Sequence, residues 1–487
     1  MNETLTSETE NQSSGDRVWS IETHGIDPIT ETERHGKPFE LFWIWFAGNI
    51  GILGVVYGGL LAAAKLNLWQ SIFVALVATA VSFALVGVLS IPGVWSGAPM
   101  LALSRAIFGP RGNVGPTIIS WLSFVGWETT IVVTAAYALL GLFALVHLPS
   151  NPFWTVVSLV LVAALVVLFG LLGHATLVWI QRAATWLFGI FTLVIAIILL
   201  GKTNWTQVLA APAGPWDTGV LSSFIIVMAA TGIGWINAGS DYTRYFPRRT
   251  KGGPIILWTV VGGTLPLFVL MLVGVLISGL LPNLGSASNP IQVIGQALPA
   301  WMAVPYLVTA VGGLIVAAAL DIYSSGLNLL TLGVKAPRYA TVLIDGVLMT
   351  AGSIYVTLIA QNFYGPFVSF LQLLADGLMA WVGVFLIDMI WRRTYDPASL
   401  VDTTPRGRYF YQGGFNLIAC IAWLAGVVVG LLFTASPFFN GPFATGIFAS
   451  TSLGYLIGAA VSAVLYLVLR LATHASRHSE LEASGGQ

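Results

Sequence analysis

Thr231-Gly232-Ile233-Gly234-Trp235-Ile236-Asn237-Ala238-Gly239 interrupts one apolar run of the chain, and Ala47-Gly48-Asn49-Ile50-Gly51-Ile52-Leu53-Gly54, followed by Gly58-Gly59, interrupts another. A helix in lipid has no reason to carry glycines through its middle unless a neighbour packs closely or the helix is broken over a cavity. The two stretches stand five apolar segments apart, the offset at which two inverted five-helix repeats place corresponding elements. Transporters build midplane binding sites from such paired discontinuous helices. Close packing alone is the competing explanation of the same glycines; their matched positions favour a binding site.

The composition around these stretches agrees. Of 487 residues, 56% are hydrophobic and 8% charged, against about 45–50% and about 25% in a soluble domain. Length alone allows about three soluble domains, but apolar segments recur evenly from residue 41 to residue 471 and leave no room for a globular module. The single cysteine, Cys420, excludes a disulfide framework and a thiolate metal site. Twenty basic and twenty acidic residues cancel, so bulk charge suggests no nucleic acid or other polyanionic partner.

Crossing a hydrocarbon core of about 30 Å takes about 20 helical residues. Twelve segments qualify, at roughly 41–64, 69–91, 115–146, 153–173, 178–201, 219–244, 254–281, 303–330, 339–359, 364–391, 414–435 and 447–471. With the N-terminus inside, 18 of the 20 Lys and Arg fall on inside segments, leaving only Lys65 and Lys202 outside, as the positive-inside rule requires. The expectation is therefore one multi-pass domain over 41–471 in the lipid bilayer, with both termini cytoplasmic. It divides into a first repeat 41–201, a second repeat 219–391 and two extra helices 414–471. Residues 1–40 hold nine of the twenty acids and read as a solvated, polar cytoplasmic tail, and 472–487 as a second tail. The start shows no secretory signal, so the first membrane helix serves as its own, and a bacterial inner membrane is the expected location.

Ionisable groups at membrane depth cost roughly 2.5–3.5 kcal/mol or more and mark function. Glu128 and Asp321 lie deepest. In the eighth segment Asp321, Ser324, Ser325 and Asn328 fall at i, i+3, i+4 and i+7, one polar stripe that cannot face lipid. It suits a ligand or ion path, although it would also serve to join helices. In the third segment Ser120, Phe124 and Trp127 share a face, with Glu128 about 100° away and Trp121 behind it. Asp241 and Arg244 close the sixth segment and read as an interfacial ion pair or gate. Asp388 has the same reading, and Asp345 and Asp376 fit either gating or packing.

Other classes are poorly served. There is no phosphate-binding G-x-x-x-x-G-K-[S/T] loop, which argues against an ATP-driven pump. No His, Cys or acid cluster has metal-ligand spacing, and no catalytic constellation is present, so neither an enzyme nor a resident cofactor or metal is expected. Broken helices lined by aromatic and polar groups suit a closable site for an organic solute better than a pore.

Ser96-Gly97-Ala98-Pro99-Met100-Leu101-Ala102-Leu103-Ser104-Arg105 with Phe108-Gly109 and Gly112-Asn113, then Gly126-Trp127-Glu128-Thr129, then Gly234-Trp235 and Asp241-Tyr242-Thr243-Arg244-Tyr245, resemble the purine-cytosine permease branch of the nucleobase:cation symporter family. The resemblance runs from about Trp43 to Arg393. It implies a five-plus-five inverted-repeat fold of the LeuT type with two additional C-terminal helices, working by alternating access. It also implies a flat heterocycle held beside aromatic rings of helices one, three and six. Carried over by motif, Trp127 stacks on the ring, Gly232 and Gly234 offer unwound backbone beside Trp235, and Asn49 and Gly51 lie in the helix-one break. Asp321 takes the place where many members have an asparagine contacting the base, and Ser324 and Ser325 follow it in the polar stripe.

The chain departs from that pattern in two respects. Ile131 stands one turn after Trp127, where relatives are polar, which shifts edge recognition to Glu128 or Thr130. Gly312, Gly313, Leu314, Ile315 and Val316 lack the small hydroxyls that sodium-coupled relatives use early in helix eight. Burial disfavours the charged form of a carboxyl, so coupling is expected to run on protons through Asp321 or Glu128. The expected function is import of cytosine, a purine or a related heterocycle by proton symport. The alternative is a sodium-coupled transporter of a hydantoin, allantoin or thiamine-like heterocycle; from other classes, a passive channel or a receptor.

Overall fold

The computed structural model describes residues 18–22, 24–287, 289–360 and 364–484. In chain order the α-helices are α1 Glu40–Asn49, α2 Leu53–Ala63, α3 Leu68–Ser96, α4 Met100–Phe108, α5 Val114–Leu145, α6 Pro152–Leu171 and α7 His174–Leu200. Then come α8 Trp205–Ala210, α9 Leu221–Ala230, α10 Gly239–Thr243, α11 Gly252–Ile277, α12 Pro290–Gln296 and α13 Ala303–Thr331. The last are α14 Arg338–Leu358, α15 Tyr364–Arg392, α16 Pro397–Val401, α17 Leu417–Phe433, α18 Ile447–Thr451 and α19 Gly454–Ser484. Among the described residues the only β pairing is three isolated bridges.

Among the described residues ten spans, counting α9 with the turn that follows it, are long and apolar enough to cross a membrane, and the pair α1 and α2, bent by 63°, brings the number to 11. α17, where the eleventh of twelve expected spans lies, is apolar but 17 residues long, at the short end of what crosses hydrocarbon. Both quoted glycine stretches are breaks. α1 stops at Asn49 and the chain resumes as α2 at Leu53. α9 stops at Ala230, Gly232–Trp235 forms a single tight turn, and α10 starts at Gly239.

The spans sort into two packed groups. α2, α3 and α11 pack together, joined by α1, α9 and α10. α5, α6, α13 and α14 form the second group, and α7 touches both α1 and α13. The last long helices, α15, α17 and α19, pack on one another. Glycine makes the first group close: a Cβ on Gly58 would lie 2.1 Å from the Met271 carbonyl oxygen, and one on Gly274 would lie 2.0 Å from that of Val55. α2 and α11 therefore cross backbone to backbone, the small-residue contact that substitutes for a hydrophobic drive in lipid.

The N-terminal stretch, read as solvated, is solvated only in part. Glu3, Glu8, Glu10 and Asp16 lie outside the described residues, but Glu22 is 6% and Arg34 8% exposed. Arg34 Nη1 donates to the Val94 carbonyl at 2.6 Å and to that of Phe246 at 3.2 Å. Glu22 Oε1 accepts from Arg244 Nη2 at 2.8 Å and from the Tyr245 hydroxyl at 2.5 Å, and its Oε2 accepts from the His174 amide at 3.0 Å. Acid-rich composition alone does not reveal that one acid serves a buried guanidinium 222 residues away.

Breaking a buried pair strands the remaining charge, so Glu22→Ala is expected to destabilise the purified protein by roughly 3–5 kcal/mol. Thermal unfolding in detergent checks this; an unchanged midpoint would remove Glu22 from the set of residues that hold the fold.

Candidate functional site

The sixth span, α9 to α10, is helix six and the first, α1 and α2, is helix one; the helix-six break is built from local hydrogen bonding. Thr231 leaves helical geometry at φ −119°, ψ −110°, and its hydroxyl turns back to the Val227 carbonyl at 2.6 Å. The Gly232 amide, freed from the helix ladder, donates to Ser82 Oγ of α3 at 3.2 Å, and that hydroxyl lies 3.1 Å from Thr231 Oγ1. On the other side of the cavity Asn49, at the end of α1, folds its amide nitrogen back to the Trp45 carbonyl at 2.7 Å. A serine of a neighbouring helix thus takes the amide freed at the second break.

Between the breaks lies a cavity lined by residues of both. Helix one supplies Gly48, Asn49, Gly51 and Gly54, with Tyr57 a turn further on; α5 supplies Trp127 and Ile131. The second break supplies Thr231, Gly234 and Trp235, while Leu267 of α11 and Leu314, Ala317 and Asp321 of α13 complete the wall. Trp127 meets the second break closely, since a Cβ on Gly234 would lie 3.3 Å from its Nε1. Trp235 is edge-on to Trp45 at 5.5 Å, and Trp45 is edge-on to Tyr242 at 5.5 Å. The wall is aromatic and apolar with few polar groups, and its one charged residue is Asp321, 2% exposed, whose Oδ2 has no hydrogen-bond partner.

The expected site residues divide accordingly. Asn49, Gly51, Trp127, Gly234, Trp235 and Asp321 come together on the cavity wall. Gly232 faces α3 instead: a Cβ there would lie 2.4 Å from the Ser82 carbonyl carbon. Thr130 turns to the Gly126 carbonyl at 3.0 Å. The polar stripe fans out. Ser324 lies 3.3 Å from the Tyr242 hydroxyl, and Asn328 donates to Ser120 Oγ at 2.7 Å, the same oxygen that Asn237 reaches at 2.8 Å. Ser325 points toward Glu128 and Asp345, whose Oδ1 accepts from Trp121 Nε1 at 2.7 Å. Glu128 is fully buried behind the wall.

Asp241 and Arg244, taken together in the sequence as an interfacial pair or gate, take different partners. Asp241 Oδ1 accepts from the Met100 amide at 2.8 Å, at the start of α4, and Arg244 pairs with Glu22. Asp388 is salt-bridged to Arg392 and Arg470, and Asp376 accepts from Thr434 at 2.9 Å. Sequence reading did not select Tyr57, Thr231 or Leu267. For Thr231 the signal was there, a hydroxyl residue opening the Gly-x-Gly break; for the other two nothing separates them from ordinary apolar helix. Among the described residues no group of three or more His, Cys, Asp or Glu is placed to hold a metal ion.

Over residues 28–458 the chain matches the family described as permease for cytosine/purines, uracil, thiamine, allantoin. It belongs to that family. A putative purine-cytosine permease of Bacillus subtilis, YxlA, is 27% identical over 465 residues, covering 92% of this chain and 96% of the relative. The purine-cytosine permease FCY21 of Saccharomyces cerevisiae is 29% identical, over 52% of this chain and 48% of its own length. Among solved structures, Mhp1, a nucleobase-cation-symport-1 family transporter in a closed conformation with bromovinylhydantoin bound, superposes with a TM-score of 0.74 at 18% identity, covering 92% of this chain and 94% of that one. A Na+-coupled sialic acid symporter gives 0.54 at 12% identity, covering 88% of this chain and 94% of that one. The chain is thus a multi-pass membrane transporter of LeuT-type fold, in a family that moves small heterocycles with cation coupling.

The two glycines of the second break carry different loads. Gly232→Ala drives a Cβ into α3 backbone and is expected to cost about 1–3 kcal/mol, whereas Gly234→Ala meets only the end of the Trp127 ring. Folded yield and unfolding midpoint in detergent rank them; Gly234→Ala as the more damaging change would contradict this assignment.

Proposed function

We propose that this transporter imports a nucleobase, cytosine or a purine, by proton symport with alternating access at the cavity between the two helix breaks. The observation that carries the reading is the pairing, on one wall, of the Trp127 indole against the second break with a buried carboxyl whose Oδ2 has no partner. A nucleobase offers a π-face for the indole, worth about 1–3 kcal/mol in stacking. Its edge offers a ring nitrogen next to an exocyclic amine in cytosine and adenine. A protonated Asp321 donates O–H to the first and accepts N–H from the second, two complementary bonds. The wall carries no Lys or Arg, so nothing there favours an anionic solute.

Proton rather than sodium coupling is supported by the contact between the helix-one break and α13. A Cβ on Gly313 would lie 3.9 Å from the Gly51 Cα, so α13 brings a glycine to the helix-one break, where a sodium site would need a hydroxyl oxygen. Asp321 in the cavity and Glu128 behind it are the coupling carboxyls, and Asp241 and Arg244 belong to the closing contacts at the end of helix six. The membrane is a bacterial inner membrane, with both termini and the tails 1–40 and 472–487 cytoplasmic. The second reading, a hydantoin- or allantoin-like ring, draws on the bromovinylhydantoin bound by Mhp1; both rings are flat and would stack on the same indole.

Uptake of radiolabelled cytosine, with adenine, hypoxanthine, uracil, allantoin and hydantoin as competitors, tests the assignment. Uptake is expected to persist without sodium, to fall as external pH rises and to vanish with an uncoupler. Trp127→Ala is expected to weaken apparent affinity roughly 5- to 150-fold, and Asp321→Asn to lose accumulation while retaining exchange. Strict sodium dependence without a pH effect would overturn proton coupling, and failure of every base to compete would overturn the substrate class.

A further inference from the structure

Behind the cavity wall, α5, α13 and α14 enclose a second polar centre. Glu128 of α5 is fully buried and neither of its carboxyl oxygens has a hydrogen-bond partner. Asp345 of α14 is fully buried too; Oδ1 is engaged by the Trp121 indole and Oδ2 by nothing. The Ser325 hydroxyl of α13, also fully buried, faces both carboxyls. α5 and α14 are in firm contact here, with a Cβ on Gly352 only 3.1 Å from Thr129 Oγ1, and Ser353 Oγ 3.4 Å from the Thr129 carbonyl.

Among the described residues no Lys, Arg or His is salt-bridged to Glu128 or Asp345. α6, which packs on both α5 and α14, carries no ionisable residue, nor does α12. α13 brings one more acid, Asp321, within electrostatic reach of Glu128. On α15 Asp376 turns to Thr434 and Asp388 is held by Arg392 and Arg470. Arg338, on Asp345's own helix, lies over the Tyr323 ring and donates to the Gly170 carbonyl. Two buried carboxyls that interact electrostatically in a medium of low dielectric cannot both stay ionised without a cation.

We propose that Glu128 and Asp345 form a proton-sharing carboxyl pair, separate from the substrate cavity, that stores the coupling proton; the second half of this statement rests on the proton-symport reading above. One carboxyl is COOH and the other COO⁻. Ser325 relays between them: its hydroxyl gives its proton to the carboxylate as it accepts the proton of the carboxylic acid, so one proton moves and the hydroxyl is restored. Asp321, facing the cavity, is the group through which the pair senses a bound substrate, and water on the opposite side takes the proton when the cavity reopens there.

Asp345→Asn is the informative variant, because Asn keeps the volume and an oxygen to accept from Trp121 but cannot share a proton. Infrared spectra of the purified full-length protein are expected to show a protonated-carboxyl C=O band that shifts in Asp345→Asn and loses intensity in Glu128→Gln/Asp345→Asn. In proteoliposomes, pH-driven accumulation of the cytosine probe is expected to fall about tenfold or more in Asp345→Asn while cytosine exchange falls less than about threefold, with partial recovery in Asp345→Glu. A band unchanged in the double variant, or wild-type accumulation by Asp345→Asn, overturns the proposal. If wild type exchanges cytosine but never accumulates it with a pH gradient, proton symport fails and the storage role with it, and the infrared band alone then decides whether the pair holds a proton.

Discussion

In hydrocarbon, a backbone N–H or C=O without a partner costs several kcal/mol, so a helix can break at mid-membrane only where another group satisfies it or a cavity receives it. Both conditions meet here. The Asn49 amide returns to the Trp45 carbonyl, Ser82 takes the freed Gly232 amide, and what remains open faces a common cavity. The close crossing of α2 and α11, and the packing of Gly232 on α3, hold the broken helices against their group. The second group supplies Trp127 and Asp321 from unbroken helices. The cavity wall therefore combines residues of the two breaks with side chains from continuous helices, a division suited to alternating access.

The buried polar groups form three centres rather than one path. Asp321 is on the cavity wall, Glu128 and Asp345 lie behind it, and Ser120, Asn237, Asn328, Tyr242 and Ser324 knit helix six to α5 and α13. Around the end of helix six, Arg244 is enclosed by Glu22, Tyr245 and Tyr323. The bonds that Glu22 accepts from Arg244 and Tyr245 couple the segment before α1 to the end of helix six, so motion of the broken helix is tied to that segment.

Most of the architecture was legible because lipid imposes a one-dimensional signal. Apolar length marks spans, and the glycines at 48–54 and 232–239 mark breaks. Trp127, Gly234 and Asp321, which line the cavity, stood out as candidates for the same reason: each is costly or pointless in an ordinary membrane helix. What could not be read was direction across three dimensions. Helical periodicity puts Asp321, Ser324, Ser325 and Asn328 on one stripe, yet a stripe about 100° wide meets several neighbours: Asp321 lines the cavity, Ser324 meets Tyr242, Ser325 faces Glu128 and Asp345, and Asn328 meets Ser120. Gly232 and Gly234 are two residues apart and face opposite ways, one to α3 and one to Trp127. The Glu22–Arg244 pair spans 222 positions with no local pattern to announce it.

The central claim is that the cavity between the breaks takes a flat nitrogen heterocycle against Trp127. Isothermal titration of the purified protein with cytosine, adenine and hypoxanthine tests it most directly, with Trp127→Ala titrated in parallel. The account predicts saturable binding of at least one base by wild type at one site per chain, with affinity strongly reduced in the variant. Binding of equal strength in both proteins, or no binding of any base, would contradict it.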